Sequence, residues 1–145
     1  FDKAIEINKS YALAWGGKGD ALCNMGRYDD AIAAWDRAIE LEPDEFYSGS
    51  KWEMKGKVLA ILGRNEESAH AYERALELAD KAVTEYKTST DLNLSAAWGF
   101  KGQLLDEQGR YEEALEAMAN SSKAHPEDAV AWVAMGVQRI NRSLQ

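Results

Sequence analysis

Four tryptophans recur in phase. Trp15, Trp52, Trp98 and Trp132 stand 37, 46 and 34 residues apart. Their surroundings recur with them. Gly19, Gly56, Gly102 and Gly136 each lie four residues after a tryptophan, and Leu22, Leu59 and Leu105 lie seven after. Gly26, Gly63 and Gly109 lie eleven after, each followed by an arginine. Ala31, Ser68 and Ala114 come sixteen after, and the large side chains of Trp35, Tyr72 and Met118 twenty after. So many fixed offsets define an internal repeat whose unit is too short to hold more than two helices.

Within a repeat, Trp15, Gly19, Leu22 and Met25 recur every three or four residues and predict one apolar helical stripe. Gly26 predicts a left-handed turn at its end. Tyr28, Ala31, Ile32, Trp35, Ala38 and Ile39 then share a face of a second helix, which Pro43 stops. The small residues Gly19 and Ala31 fall where two antiparallel helices must approach closely. Asp29-Asp30, Glu66-Glu67 and Glu112-Glu113 open the second helices, where carboxylates complement the positive helix end.

The pattern resembles the tetratricopeptide repeat family, a helix–turn–helix unit with W-x2-L-G-x2-Y…A-x3-F…P spacing. It is carried by Trp15, Gly19, Leu22, Tyr28, Ala31, Trp35, Ala38 and Pro43, and again by Trp98, Gly102, Leu105, Tyr111, Ala114, Met118 and Pro126. The resemblance covers essentially the whole chain. It implies an all-α solenoid of antiparallel helix pairs wound into a right-handed superhelix. The expected divisions are the end of a preceding repeat over 1–11, repeats over 12–45, 46–94 and 95–128, and a partial or capping repeat over 129–145. Residue 1 is Phe, and Phe1, Ala4, Ile5 and Asn8 already have helical spacing, so the chain is expected to be a piece of a longer protein.

Two departures stand out. Lys18, Lys55 and Lys101 occupy the position three after each tryptophan, where an apolar residue is common; a lysine stem can cover apolar surface while its ammonium reaches water. The 37- and 46-residue steps also exceed the usual period. Three extra residues near Phe46–Ser48 are expected to lengthen the front of a first helix. Twelve more follow Tyr72, where the stripe continues through Ala75, Leu76, Ala79, Val83 and Tyr86. One helix over about 66–87 is expected, about 18 Å longer at the helical rise. A polar loop should follow over 88–91, with Asn93 capping the next helix.

Composition narrows the function. The 17 basic against 25 acidic residues give a net charge of −8, which disfavours nucleic acid. No run approaches a membrane span. A single cysteine, Cys23, excludes an internal disulfide and a thiolate zinc site. His70 and His125 sit on different repeats without an acid or nucleophile partner, so they read as solvated or half-packed. Gly16-Gly17-Lys18-Gly19 lacks phosphate-loop spacing and a preceding strand. Asn8, Asn93, Asn120 and Asn141 match N-x-[ST], but the first three fall in or near helix ends and turns, where Asn and Ser are expected anyway. No catalytic group, metal or cofactor is expected, and the setting is expected to be cytoplasmic.

In the family resembled, first helices line a concave groove in which ligand peptides lie. Carried over by offset, the groove candidates are Leu13, Gly16, Gly17, Asp20, Cys23 and Asn24; then Glu53, Met54, Lys57 and Ile61; then Gly99, Phe100, Gln103, Asp106 and Glu107; and finally Val130, Val133 and Val137. About half of these are expected to be wall residues. The carboxylate clamp of chaperone-binding relatives cannot be assembled from Gly16, Asp20, Met54, Gly99, Phe100 and Gln103, and the acids would repel a carboxylate. The resemblance therefore implies a non-enzymatic protein–protein scaffold for apolar segments with basic flanks. The alternative is a regulatory or substrate-recruiting segment of a larger enzyme. Head-to-tail self-association is also expected, the opening helix covering the helix over 129–141 of another copy.

Overall fold

A computed structural model describes residues 2–43, 46–87 and 92–125 of the chain. Six helices occupy them, with no strand among the described residues: α1 (Asp2–Asn24), α2 (Tyr28–Leu41), α3 (Phe46–Ile61), α4 (Asn65–Glu85), α5 (Leu92–Glu107) and α6 (Tyr111–Ala124). Two compact units divide the chain, Phe1–Leu78 and Ala79–Gln145.

Each first helix ends on its glycine. Gly26, Gly63 and Gly109 all have φ of 74°, in the left-handed region where a Cβ is penalised. Around each, the following arginine N–H bonds back to the carbonyl of Leu22, Leu59 or Leu105 at 2.9 Å, and the glycine N–H bonds three residues back. This is the Schellman closure, which satisfies carbonyls that the helix end leaves open. The same arginine then clasps an acid three residues on: Arg27 with Asp30, Arg64 with Glu67 and Arg110 with Glu113.

The paired helices meet at the small residues. In α2, Ala31, Ile32, Trp35, Ala38 and Ile39 are buried as the spacing predicts. Trp35 is fully buried against Gly19, where any Cβ would collide with its indole. The equivalent closures are Gly56 under Tyr72 and Gly102 under Met118, each leaving a hypothetical Cβ 3.0 Å from the larger side chain. Polar links supplement two pairs. Ser68 Oγ donates to the Gly56 carbonyl at 2.8 Å. Ser121 Oγ donates to the Ser95 carbonyl at 2.8 Å and Ser95 Oγ to that of Ser121 at 3.2 Å, all buried.

Several expectations need correction. The opening segment is not a separate helix: α1 runs unbroken from Asp2 to Asn24. Six residues before Trp132 stands Pro126, but six before Trp15 stands Lys9, and nothing there halts a helix. Met25 leaves the apolar stripe and is 69% exposed, because it falls in the turn after α1 has ended. The helix expected over 66–87 is α4, continuous over Asn65–Glu85. Its 21 residues exceed the 14 of α2 and α6 by seven, so part of the twelve-residue excess lies beyond it. Ala79 and Ala82 are buried near its end, and Val83 and Tyr86 half-buried. The extra residues at 46–48 form the first turn of α3, which is no longer than α5 at 16 residues each. Asn93 lies inside α5 rather than at its cap. The loop over 88–91 and everything beyond 125 lie outside the described residues, as does Phe1.

Candidate functional site

Offset from the tryptophan sorts the groove candidates. Those one residue after it, Gly16, Glu53 and Gly99, are all buried. A Cβ at Gly16 would meet the Tyr47 hydroxyl and the Lys51 stem, so this glycine lets α3 approach α1. Glu53 is tied to Lys57, one turn on, at 2.5 Å. These three are walls, not groove surface.

The remaining offsets face solvent wholly or in part. Leu13, Gly17 and Asn24 on α1 and Ile61 on α3 are exposed, and Asp20, Met54 and Lys57 are half-buried. Leu13 is 56% and Ile61 66% exposed, unusual for large apolar side chains. Gly17 has open space where a side chain would go. Cys23 is half-buried and packs on the core formed by Ala31, Ile32, Trp35, Val58, Leu59 and Ala71. On α5, in the second unit, Phe100, Gln103, Asp106 and Glu107 are half-buried, and Gln103 donates to Glu107 at 3.3 Å. Val130, Val133 and Val137 lie outside the described residues.

Asp20 is more than a rim charge. Its carboxylate accepts the Trp35 indole N–H at 2.9 Å and the Lys51 ammonium at 2.9 and 3.1 Å. One side chain of α1 therefore holds α2 and α3 together. With Tyr47 over Gly16, the pair also brings the exposed row of α1 beside that of α3 within the first unit. Sequence spacing could not show that the charge of Asp20 is already answered.

The lysines three after each tryptophan form a second constellation. Lys18, Lys55 and Lys101 stand 4.6, 4.8 and 5.3 Å from the rings of Trp15, Trp52 and Trp98, a cation–π geometry. Two of them also reach a carboxylate on the preceding helix: Lys55 to Asp36 of α2 at 2.6 Å, and Lys101 to Asp80 of α4 at 2.7 Å. Trp52 further meets the His70 ring edge-on at 6.0 Å. Among the described residues no three His, Cys, Asp or Glu gather as a metal site, and no helix is long and apolar enough to cross a membrane.

Glycine-closed turns, small-on-large helix pairing and a common frame of offsets are thus shared by all three described pairs. Tetratricopeptide repeat sequences match residues 12–45, and again 53–129 and 101–137. The chain belongs to the tetratricopeptide repeat family. The match over 12–45 spans the repeat marked by Trp15 and Pro43. Superkiller protein 3 of Schizosaccharomyces pombe is 40% identical over 47 residues, 32% of this chain but 3% of that protein, so the likeness concerns a small part of a much longer chain. The N-terminal domain of stress-induced protein-1 from C. elegans superposes with a TM-score of 0.53 at 20% identity, covering 91% of this chain and 96% of that one. The first such domain of Spaghetti (RPAP3), solved bound to the HSP90 peptide SRMEEVD, gives 0.52 at 18% identity over 92% and 95%. At such identities the likeness supports the tetratricopeptide fold.

Proposed function

We propose that the chain is a non-enzymatic protein–protein interaction scaffold of the cytoplasm, binding a partner segment along the exposed rows of its first helices. The carrying observation is the pair of exposed anchors, Leu13 on α1 and Ile61 on α3, beside half-buried Met54 in one unit. Two large apolar side chains held in water, one on each first helix of this unit, suit a ligand with apolar anchors. A neighbour of the same fold was solved bound to the acidic HSP90 peptide SRMEEVD. The net charge of −8 favours basic flanks here instead. The half-buried Phe100 on α5 would serve the same kind of ligand in the second unit.

Titration calorimetry with two matched peptide sets tests this. Apolar segments flanked by Lys or Arg should bind, and Leu13→Asp or Ile61→Asp should weaken them by about 2 kcal/mol where the anchor is central. Binding only by acidic, carboxylate-terminated peptides would refute the reading. Head-to-tail association of copies belongs to the same proposal. Light scattering over a concentration series reads it, and a chain that stays monomeric at millimolar concentration would refute it.

A further inference from the structure

The turn edge of the first unit carries apolar side chains that its fold does not require. Met25 and Leu62 each stand just before their turn glycine, and they are 69% and 39% exposed. Between α5 and α6 the same position is Gln108, and the turn closes with the same bonds. The N–H groups of Met25, Leu62 and Gln108 reach the carbonyl four residues back at 3.1, 3.0 and 3.3 Å. An apolar residue is therefore not what closes the turn. Neighbouring helices do not cover it either. Leu62 stays exposed with α2 packed on α3 before it, and Met25 stays exposed with α3 approaching α1 after it. The exposure is set by the turn itself. Ile61, 66% exposed, ends the row of α3 and joins that row to this edge. The two turns lie side by side, since Arg64 of the second reaches Asp29 of the first across 3.6 Å. Acids surround them. Arg27 clasps Asp30 and Arg64 clasps Glu67, while Asp29 is 85% exposed and Glu66 is exposed.

We propose that this turn edge takes the basic flank of the partner segment: a large apolar residue seats on Met25, Ile61 and Leu62, and an adjacent lysine or arginine reaches Asp29 and Glu66. The inference rests on the scaffold reading and adds where the segment leaves the first-helix rows. Charge selects the occupant. Asp29, Asp30, Glu66 and Glu67 outnumber Arg27 and Arg64 at this edge, so it repels nucleic acid, an anionic membrane surface and a second copy, which brings its own −8. A basic and apolar segment meets both features at once. Its apolar residue covers surface that otherwise stays wet, and its cation lies near the two carboxylates that the clasps leave outside. In the second unit Glu107 and Gln108 stand where Ile61 and Leu62 do, so the edge there lacks the apolar seat.

The probes are two synthetic peptides with one leucine-rich core, the first with two lysines at each end and the second with glutamines in their place. Each is titrated into the full chain by calorimetry and followed by methyl NMR. The lysine peptide should bind more tightly and shift the Met25 and Leu62 methyl signals. Met25→Gln with Leu62→Gln copies the polar side chain of Gln108, so the turns should still close, and it should weaken both peptides on the order of tenfold. Asp29→Asn with Glu66→Gln should weaken the lysine peptide about fivefold and leave the glutamine peptide unchanged. Glu40→Gln with Glu77→Gln removes as much charge from exposed sites elsewhere and should change neither affinity. If Leu13→Asp weakens the lysine peptide while the four edge substitutions do not, the edge is overturned and the scaffold reading stands. Binding of neither peptide would overturn both. Met25 and Leu62 methyls that shift with protein concentration and not with peptide would overturn the edge in favour of a second copy.

Discussion

Trp35 donates its indole proton to Asp20 across 2.9 Å. The indole is wholly buried, and the same carboxylate answers Lys51, whose side chain is 8% exposed. Asp20→Ala would strand a buried donor and a buried cation together. The expected loss is about 2 kcal/mol, held to that by the 45% exposure of the Asp20 side chain. Asp20→Asn keeps an acceptor and should lose less. Urea unfolding of both variants checks the order; equal losses would deny Asp20 its bridging role.

Neighbouring glycines of α1 should respond with opposite signs. Gly17 faces open space, so Gly17→Ala should stabilise by about 0.5–1 kcal/mol through helix propensity. Gly19→Ala gains the same propensity but drives a methyl into the Trp35 ring, and should destabilise by about 1–3 kcal/mol. At Gly26, Gly63 and Gly109 space is free but φ is 74°, so alanine should cost about 1–2 kcal/mol at each. Thermal melts of the five single variants would show the pattern or its absence.

The buried serine pair between α5 and α6 should be coupled. Ser95 and Ser121 stand where the first repeat uses Ala12 and Ala38, both fully buried. Each single change to alanine should cost about 1 kcal/mol. The double change should cost clearly less than the two together, because it recreates the apolar pairing of α1 with α2. A double-mutant cycle with no coupling would count against the reciprocal bonds.

Acid should open the turn clasps only below the ordinary carboxylate range. Hydrogen bonding to Arg64 holds the Glu67 carboxyl below the usual carboxylate range, with the positive charges of Arg64 and Lys55 adding to it. Arg110 and Lys101 do the same for Glu113. A depressed carboxylate contributes its stability above the ordinary carboxylate value and loses it as pH falls through the lowered one. Both clasps are on the surface, so the effect on unfolding should be small. Carboxyl NMR titration is the sharper measurement: Arg64→Gln should raise the Glu67 midpoint and leave Glu113 where it was.

Much of this architecture is legible in the residues because the repeat states it three times. The offsets of Gly26, Gly19 and Trp35 each correspond to one contact or turn, and three copies remove the ambiguity of any single one. Lys9 was just as visible, yet its meaning lay in the missing proline, and the repeat pattern argued for a break that the backbone had no reason to make. The groove candidates show a different limit. Position one after each tryptophan looks as exposed as position two on a single helix, and only the helix packed beside it buries Gly16, Glu53 and Gly99. Long-range charge pairing is hardest of all: Lys51 and Asp20 are 31 residues apart, and nothing in the spacing couples them.

The small-on-large contacts also bear on how the chain finds its fold. Gly19 and Trp35, Gly56 and Tyr72, Gly102 and Met118 are each separated by the same sixteen positions. A pair so near in sequence closes only a short loop, and the glycine turn between its helices has already bent the chain. No helix pair has to wait for a distant segment before its own indole, phenol or thioether is covered. Nucleation is therefore available in any of the three hairpins, with growth passing to the neighbour through shared surfaces. Folding of such a chain should be fast and weakly dependent on which hairpin starts.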